Sequence, residues 1–168
     1  VCDERTRALL ATRQGESDLV VRDGMFFLYP TVNVDEPPVG DPVDFLGVDL
    51  GIVNLAATSD GDTFAGAVLN GARIRHERLR KRLQAKRTDS ATRLLRKRRR
   101  KQCRFQADTN HRIAKRLVAV AQGTGRGIAL EDLTGIRDRV SVRRPQRATL
   151  HSWSFGQLRG FVAYKAAR

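Results

Sequence analysis

Val43-Asp44-Phe45-Leu46-Gly47-Val48-Asp49-Leu50-Gly51 reads as a strongly apolar strand. Its apolar residues run almost without interruption between Pro42 and Gly51, the pattern of a short buried strand. Residues 52–58 continue as a second strand. Ser59-Asp60-Gly61-Asp62 forms a turn, and Thr63-Phe64-Ala65-Gly66 a short third strand. Three successive strands joined by tight turns predict an antiparallel meander. Downstream, residues 70–87 and 90–122 read as two long helices. Ile74, Leu79 and Leu83 are roughly in register in the first, and Leu94, Leu95, Phe105, Ile113, Leu117 and Val120 in the second. Gly123, Gly125 and Gly127 end the second helix. Ile128-Ala129-Leu130-Glu131-Asp132-Leu133 is a further buried-type strand, and residues 134–150 are a basic loop. Ser154-Phe155-Gly156-Gln157 fits a capping box opening a last helix to about Ala167. The class is α/β.

Upstream, Leu19-Val20-Val21-Arg22 and Met25-Phe26-Phe27-Leu28-Tyr29 flank Asp23-Gly24, which predicts a β-hairpin resuming through residues 31–34. Residues 1–18 are mixed and carry no clear pattern. The segment at 35–42 holds Pro37, Pro38 and Pro42 and reads as a linker. The expected division is therefore 1–42 and 43–168.

The chain has 168 residues, 32 Lys and Arg against 18 Asp and Glu, and a net charge of +14. An ordinary 40% hydrophobic content argues against full disorder or a fibrous protein. No run approaches the roughly 18 apolar residues of a membrane span. The N-terminus shows no signal peptide. Cys2 and Cys103 form no CxxC pair, so a reducing, cytoplasmic setting and no zinc site in this chain are expected.

The charge is concentrated. Residues 73–104 hold 16 of the 32 basic residues and two acids, Glu77 and Asp89, so the whole excess lies in 32 consecutive positions. Opposite charges are too few for pairing along a helix to balance the repulsion. Nucleic acid is the natural partner, through counterion release from phosphates. A membrane surface fits less well, because the segment lacks a broad apolar face with Trp or Phe. The candidate nucleic-acid contacts are Arg73, Arg78, Lys81, Arg82, Arg93, Arg96, Lys97, Arg98, Arg99, Arg100, Lys101 and Arg104. Arginine dominates, which favours bidentate phosphate contact.

Two carboxylates, Asp49 and Glu131, fall within apolar strands, where an unpaired charge is costly. Gly51 lets a ligand or another backbone approach near Asp49. Acids at the ends of neighbouring strands can share a divalent cation, and oxygen ligands of this kind suit Mg²⁺ or Mn²⁺. A salt bridge or turn role is the plainer alternative.

The chain resembles the OrfB/TnpB proteins of insertion sequences, transposon-encoded relatives of type V CRISPR effector nucleases. The matching stretches are Gly47-Val48-Asp49-Leu50-Gly51-Ile52-Val53-Asn54-Leu55-Ala56, Asn110-His111, Ile128-Ala129-Leu130-Glu131-Asp132-Leu133-Thr134-Gly135-Ile136, and Trp153-Ser154-Phe155-Gly156-Gln157-Leu158 with Tyr164-Lys165-Ala166. The resemblance implies a RuvC-like domain of ribonuclease H-like fold with a mixed sheet at 43–168. It carries a basic helical insertion at 70–122 and follows the tail of a β-rich, wedge-type domain. It implies an RNA-guided, Mg²⁺- or Mn²⁺-dependent DNA endonuclease lineage, with DNA and guide RNA as partners. Asp49 matches the first catalytic and metal-binding acid and Glu131 the second, and Asn110 and His111 join the nucleic-acid contacts. In the family a Cys₄ zinc ribbon and a third catalytic Asp follow the last helix. Arg168 precedes both, so a truncated form incomplete at the C-terminus is expected.

Three readings follow. The first is a transposase-associated protein that binds nucleic acid without a complete active site of its own. The second is a working nuclease completed by Asp44, Asp60, Asp132 or a partner chain. Asp132 and Asp44 would both face away from the acids on regular strands. The third is an unrelated basic RNA-binding protein with structural carboxylates. Trp153 and Phe155 are expected to anchor the last helix in the core, and His76 and His151 have no evident partner.

Overall fold

The computed structural model describes residues 3–22, 24–35, 40–136, 141 and 153–167. The chain divides into two compact units, Val1–Val39 and Gly40–Arg168. Of the sequence expectations, Cys2, Asp23, half of the linker, His151 and most of the basic loop lie outside the described residues.

In the first unit a short helix α1 (Glu4–Leu9) and a 3₁₀ turn (Leu10–Thr12) lead into β1 (Arg13–Arg22), which pairs antiparallel with β2 (Met25–Val32). Arg22 opposite Met25 leaves room for a two-residue turn, the geometry expected of Asp-Gly. Its second residue, Gly24, has φ +78°. The helix and the first half of β1 lie in the segment that looked patternless. They are polar or exposed on both sides, so no burial period marks them. Leu19, Val21, Met25, Phe26 and Leu28 are all more than half exposed on this ribbon.

The second unit is built on a four-stranded mixed sheet. β3 (Phe45–Asp49), β4 (Asn54–Thr58) and β5 (Thr63–Ala65) form the expected antiparallel meander. β6 (Gly127–Leu130) adds to the other side of β3, parallel to it, which gives the order β5-β4-β3-β6. The parallel pairing requires a long crossover. Two helices supply it, α2 (Ala67–Lys86) and α3 (Asp89–Gly123). They form a hairpin turning at Arg87, whose φ of 50° is left-handed, and Thr88 Oγ1 caps α3 by accepting from Ala91 N.

Alternation along β3 sets the core. Leu46, Val48 and Leu50 are buried, whereas Phe45 and Asp49 are exposed. The buried face joins Leu55 and Ala56 of β4 and one stripe of α3: Ile113, Ala114, Leu117, Val118 and Ala121. A last helix, α4 (Phe155–Ala166), adds Phe155, Leu158 and Val162, with Trp153 just before it. Burying side chains of this size contributes roughly 1.5–3 kcal/mol each before conformational entropy is charged against it. α3 is about 52 Å long at 1.5 Å per residue. Only its second half, from Asn110, lies in the core, while Arg93 to Lys101 project with the hairpin.

Candidate functional site

The pairing of β3 with β6 runs Phe45–Gly127, Leu46–Ile128, Gly47–Ala129 and Val48–Leu130. Extended by one step, it sets Asp49 beside Glu131, and Glu131 N donates to Val48 O at 3.4 Å, which carries the ladder that far. The expectation that both acids sit inside strands is corrected. Asp49 is the last residue of β3, Glu131 is the first after β6, and both are exposed. Water solvates their charges, so no burial cost has to be offset. Both lie at the C-terminal ends of adjacent parallel strands, where open α/β sheets place ligand sites. The backbone that approaches Gly51 is the chain's own: a Cβ there would lie 2.6 Å from Asn54 O.

Two of the acids weighed as further ligands, Asp60 and Asp132, have other partners. Asp60 receives both terminal nitrogens of Arg126, with Nη1 to Oδ1 at 2.8 Å. This pair ties the β4–β5 turn to the start of β6. The hydrogen bonds from Arg126 hold the Asp60 carboxyl below the ordinary carboxylate range. Asp132 is not on a strand. Its Oδ1 accepts from Thr134 Oγ1 at 2.6 Å, Thr134 N at 3.0 Å and Arg159 Nη1 at 3.0 Å. The bonds from Thr134 and then the Arg159 charge lower its pKa. Both shifts are downward, so their stabilisation is present above the ordinary value of 3.8 and is lost as pH falls through the folded-state values. Asp44 precedes β3. Among the described residues no group of three His, Cys, Asp or Glu side chains gathers.

The basic residues occupy the helical hairpin. Arg78, Lys81 and Arg82 are exposed on α2, with Lys81 paired to Glu77 at 3.2 Å. Arg73 is half-buried at its base and donates to Asn70 Oδ1, and burial lowers its guanidinium pKa. On α3, Arg93, Arg96, Lys97, Arg98, Arg99, Arg100, Lys101 and Arg104 are exposed. Arg93, Arg96, Arg100 and Arg104, spaced three, four and four, form one outward stripe. Arg98 and Lys101 also line a cleft towards α2. Cys103 is exposed on the same helix.

Asn110 is buried, away from its expected place among the nucleic-acid contacts, whereas His111 keeps part of its surface exposed. Asn110 is 3% exposed, and its Nδ2 donates to Ser154 Oγ and Gln157 Oε1, both at 2.8 Å. It is a buried tie between α3 and α4, not a surface contact. The capping box read at 154–157 is corrected with it, since Ser154 makes no side-chain cap and serves Asn110. His111 stacks on Phe161 at 3.7 Å and lies 3.3 Å by Nδ1 from Tyr164 Oη. The pair joins the Trp-Ser-Phe-Gly-Gln and Tyr-Lys-Ala stretches to α3. Trp153 and Phe155 are buried, as expected of anchors. Asn110→Leu is expected to destabilise the second unit by about 2 kcal/mol, because it removes both hydrogen bonds that tie α3 to α4. Thermal unfolding checks this, and an unchanged midpoint would remove the tie from the account.

Sequence reasoning missed Asn70, whose Nδ2 donates to Ile52 O at 2.8 Å and grips the loop after Asp49. Its place in the first turn of α2 was the available signal. Among the described residues, no helix is long and apolar enough to cross a membrane. A comparison with curated proteins finds no match. Residues 29–134, which include β3 to β6, the basic hairpin and both acids, match the family model OrfB_IS605, described as probable transposase. The chain, matched over more than half its length, belongs to the OrfB_IS605 family of probable transposases.

Proposed function

We propose that this chain binds nucleic acid through the α2–α3 hairpin and carries, at the ends of β3 and β6, two acids of a divalent-metal site for DNA phosphodiester cleavage. The observation that carries this reading is the register setting Asp49 beside Glu131, in the unit whose crossover helices hold the whole charge excess. The sheet is read as ribonuclease H-like (RuvC-like). The order β5-β4-β3-β6, a meander with a fourth strand parallel to the first, supports that assignment. DNA and a guide RNA are the partners this reading names.

The donor set fits a hard cation. Two exposed carboxylates on neighbouring strands, with Ala57 opposite Asp49 leaving space, suit Mg²⁺ or Mn²⁺ better than a softer metal. A divalent ion bound there supplies an activated water and neutralises charge at the leaving oxygen. The protein's own share is to hold both carboxylates through the β3–β6 ladder and to bring phosphates near by the basic hairpin.

The test follows Mn²⁺ binding by its paramagnetic resonance, together with cleavage of labelled single-stranded DNA in Mg²⁺ or Mn²⁺. Asp49→Asn and Glu131→Gln are each expected to weaken Mn²⁺ binding by roughly tenfold or more while oligonucleotide binding persists. Cleavage, where seen, must vanish in Asp49→Asn. Equal Mn²⁺ binding by wild type and both variants would overturn the metal site.

A further inference from the structure

The seam of the α2–α3 hairpin is apolar at both ends and polar in the middle. Leu83 and Ala91 are buried near its turn, and Leu69 and Ile113 are buried near the sheet. Between them lies a cleft of about 350 Å³ with Leu79 and Phe105 in its wall. That volume falls in the range of small-molecule sites, roughly 300–1,000 Å³. Arg75 and His76 of α2 face Arg98, Lys101 and Gln102 of α3 across it. A helical pair needing only stability would carry apolar side chains at these facing positions. Three cations around one opening repel each other, and among the described residues that line it there is no carboxylate. His76 Nε2 is buried with no hydrogen-bond partner among the described residues. Burial, then Arg80 and Arg98, lower its pKa below the ordinary 6.5, so the ring is neutral at pH 7 and offers one donor and one acceptor.

These features have one ligand chemistry in common. Clustered guanidinium and ammonium groups call for a phosphate. The Phe105 ring, partly buried in the cleft wall, gives a base apolar surface to rest on, and a neutral imidazole with a carboxamide suits the edge of a base. We propose that this cleft holds one unpaired nucleotide of a bound strand, its base against Phe105 and within reach of His76 and Gln102, its phosphate among Arg75, Arg98 and Lys101. The inference rests on the nucleic-acid reading above and goes beyond it, because contacts to phosphates position a strand whereas an enclosed base is read.

The chain holds three histidines, so their ring signals form a sparse nuclear magnetic resonance spectrum, and His76→Gln assigns the one that matters. The full chain is titrated with thymidine 5′-monophosphate, thymidine and inorganic phosphate as separate probes, with a labelled oligothymidylate in parallel. The mononucleotide is expected to shift the His76 signal to saturation. Thymidine or phosphate alone should require about tenfold more. Gln102→Glu puts a carboxylate in the cleft beside the bound nucleotide, where it repels the phosphate and offsets the cations that hold it, and should weaken mononucleotide binding by about tenfold, with oligothymidylate binding reduced only a few fold. If the oligothymidylate binds but no mononucleotide moves His76, the cleft proposal is overturned and the nucleic-acid reading stands. Phosphate matching the mononucleotide also overturns it. Failure of the oligothymidylate to bind overturns the nucleic-acid reading itself. Should circular dichroism find Gln102→Glu unfolded, the wild-type titration alone decides.

Discussion

Replacing Arg93, Arg96, Arg100 and Arg104 together by Gln is expected to lower the affinity for a short DNA duplex about a thousandfold at roughly 0.1 M salt. The four share the outward stripe of α3, so one strand can meet all of them. Each phosphate contact to duplex DNA contributes about 0.9 to the slope of log affinity against log salt. The loss of four should flatten that slope by about three to four. The same change at Arg78, Lys81 and Arg82 of α2 is expected to cost less, because Lys81 already serves Glu77 and fewer cations are involved. The four α3 side chains are exposed, and removing like charges relieves repulsion, so thermal stability should hold or rise. Binding isotherms at several salt concentrations provide the check. A slope unchanged by the four substitutions would mean that the stripe does not touch nucleic acid.

The largest expected effect on stability comes from a single methyl group. In Gly51→Ala the new Cβ would lie 2.6 Å from the carbonyl oxygen of Asn54, a backbone atom that cannot swing aside. The loop between β3 and β4 is held from both sides. Asn70 Nδ2 donates to Ile52 O at 2.8 Å, and Gly66 N donates to Val53 O at 2.7 Å. A Cβ at Gly66 would lie 2.7 Å from Ile52 O, so the same loop leaves no room there either. Relieving the clash means shifting a turn that starts two residues after Asp49. The cost is expected to be about 2–4 kcal/mol, or about 10 °C in the unfolding midpoint of a unit this size. A loss of Mn²⁺ affinity should accompany it even though Asp49 is intact. A midpoint within a degree of wild type would show that the loop yields, and would remove its positioning role.

Much of this architecture is legible in the residues alone. The meander, the two long helices and the last helix follow from apolar period and turn chemistry, both local properties. The +14 excess in residues 73–104 follows from counting. The strand expected over 128–133 ends at Leu130. Apolar sequence continues to Leu133, but Asp132 binds Thr134 and Arg159 and turns the chain instead. Nothing local distinguishes those outcomes.

Which segments become strands and helices, and where the positive charge lies, can be read along the chain, because both depend on neighbouring residues. Three further things arise only in the folded chain: Asp49 lies beside Glu131, Asn110 is engaged by Ser154 and Gln157, and Arg98 and Lys101 face His76 across a cleft. Each joins residues far apart in the chain, and their meeting is set by strand register and helix packing. Those are products of the shared core of Leu46, Val48, Leu117 and Leu158, whose burial no single segment can satisfy alone.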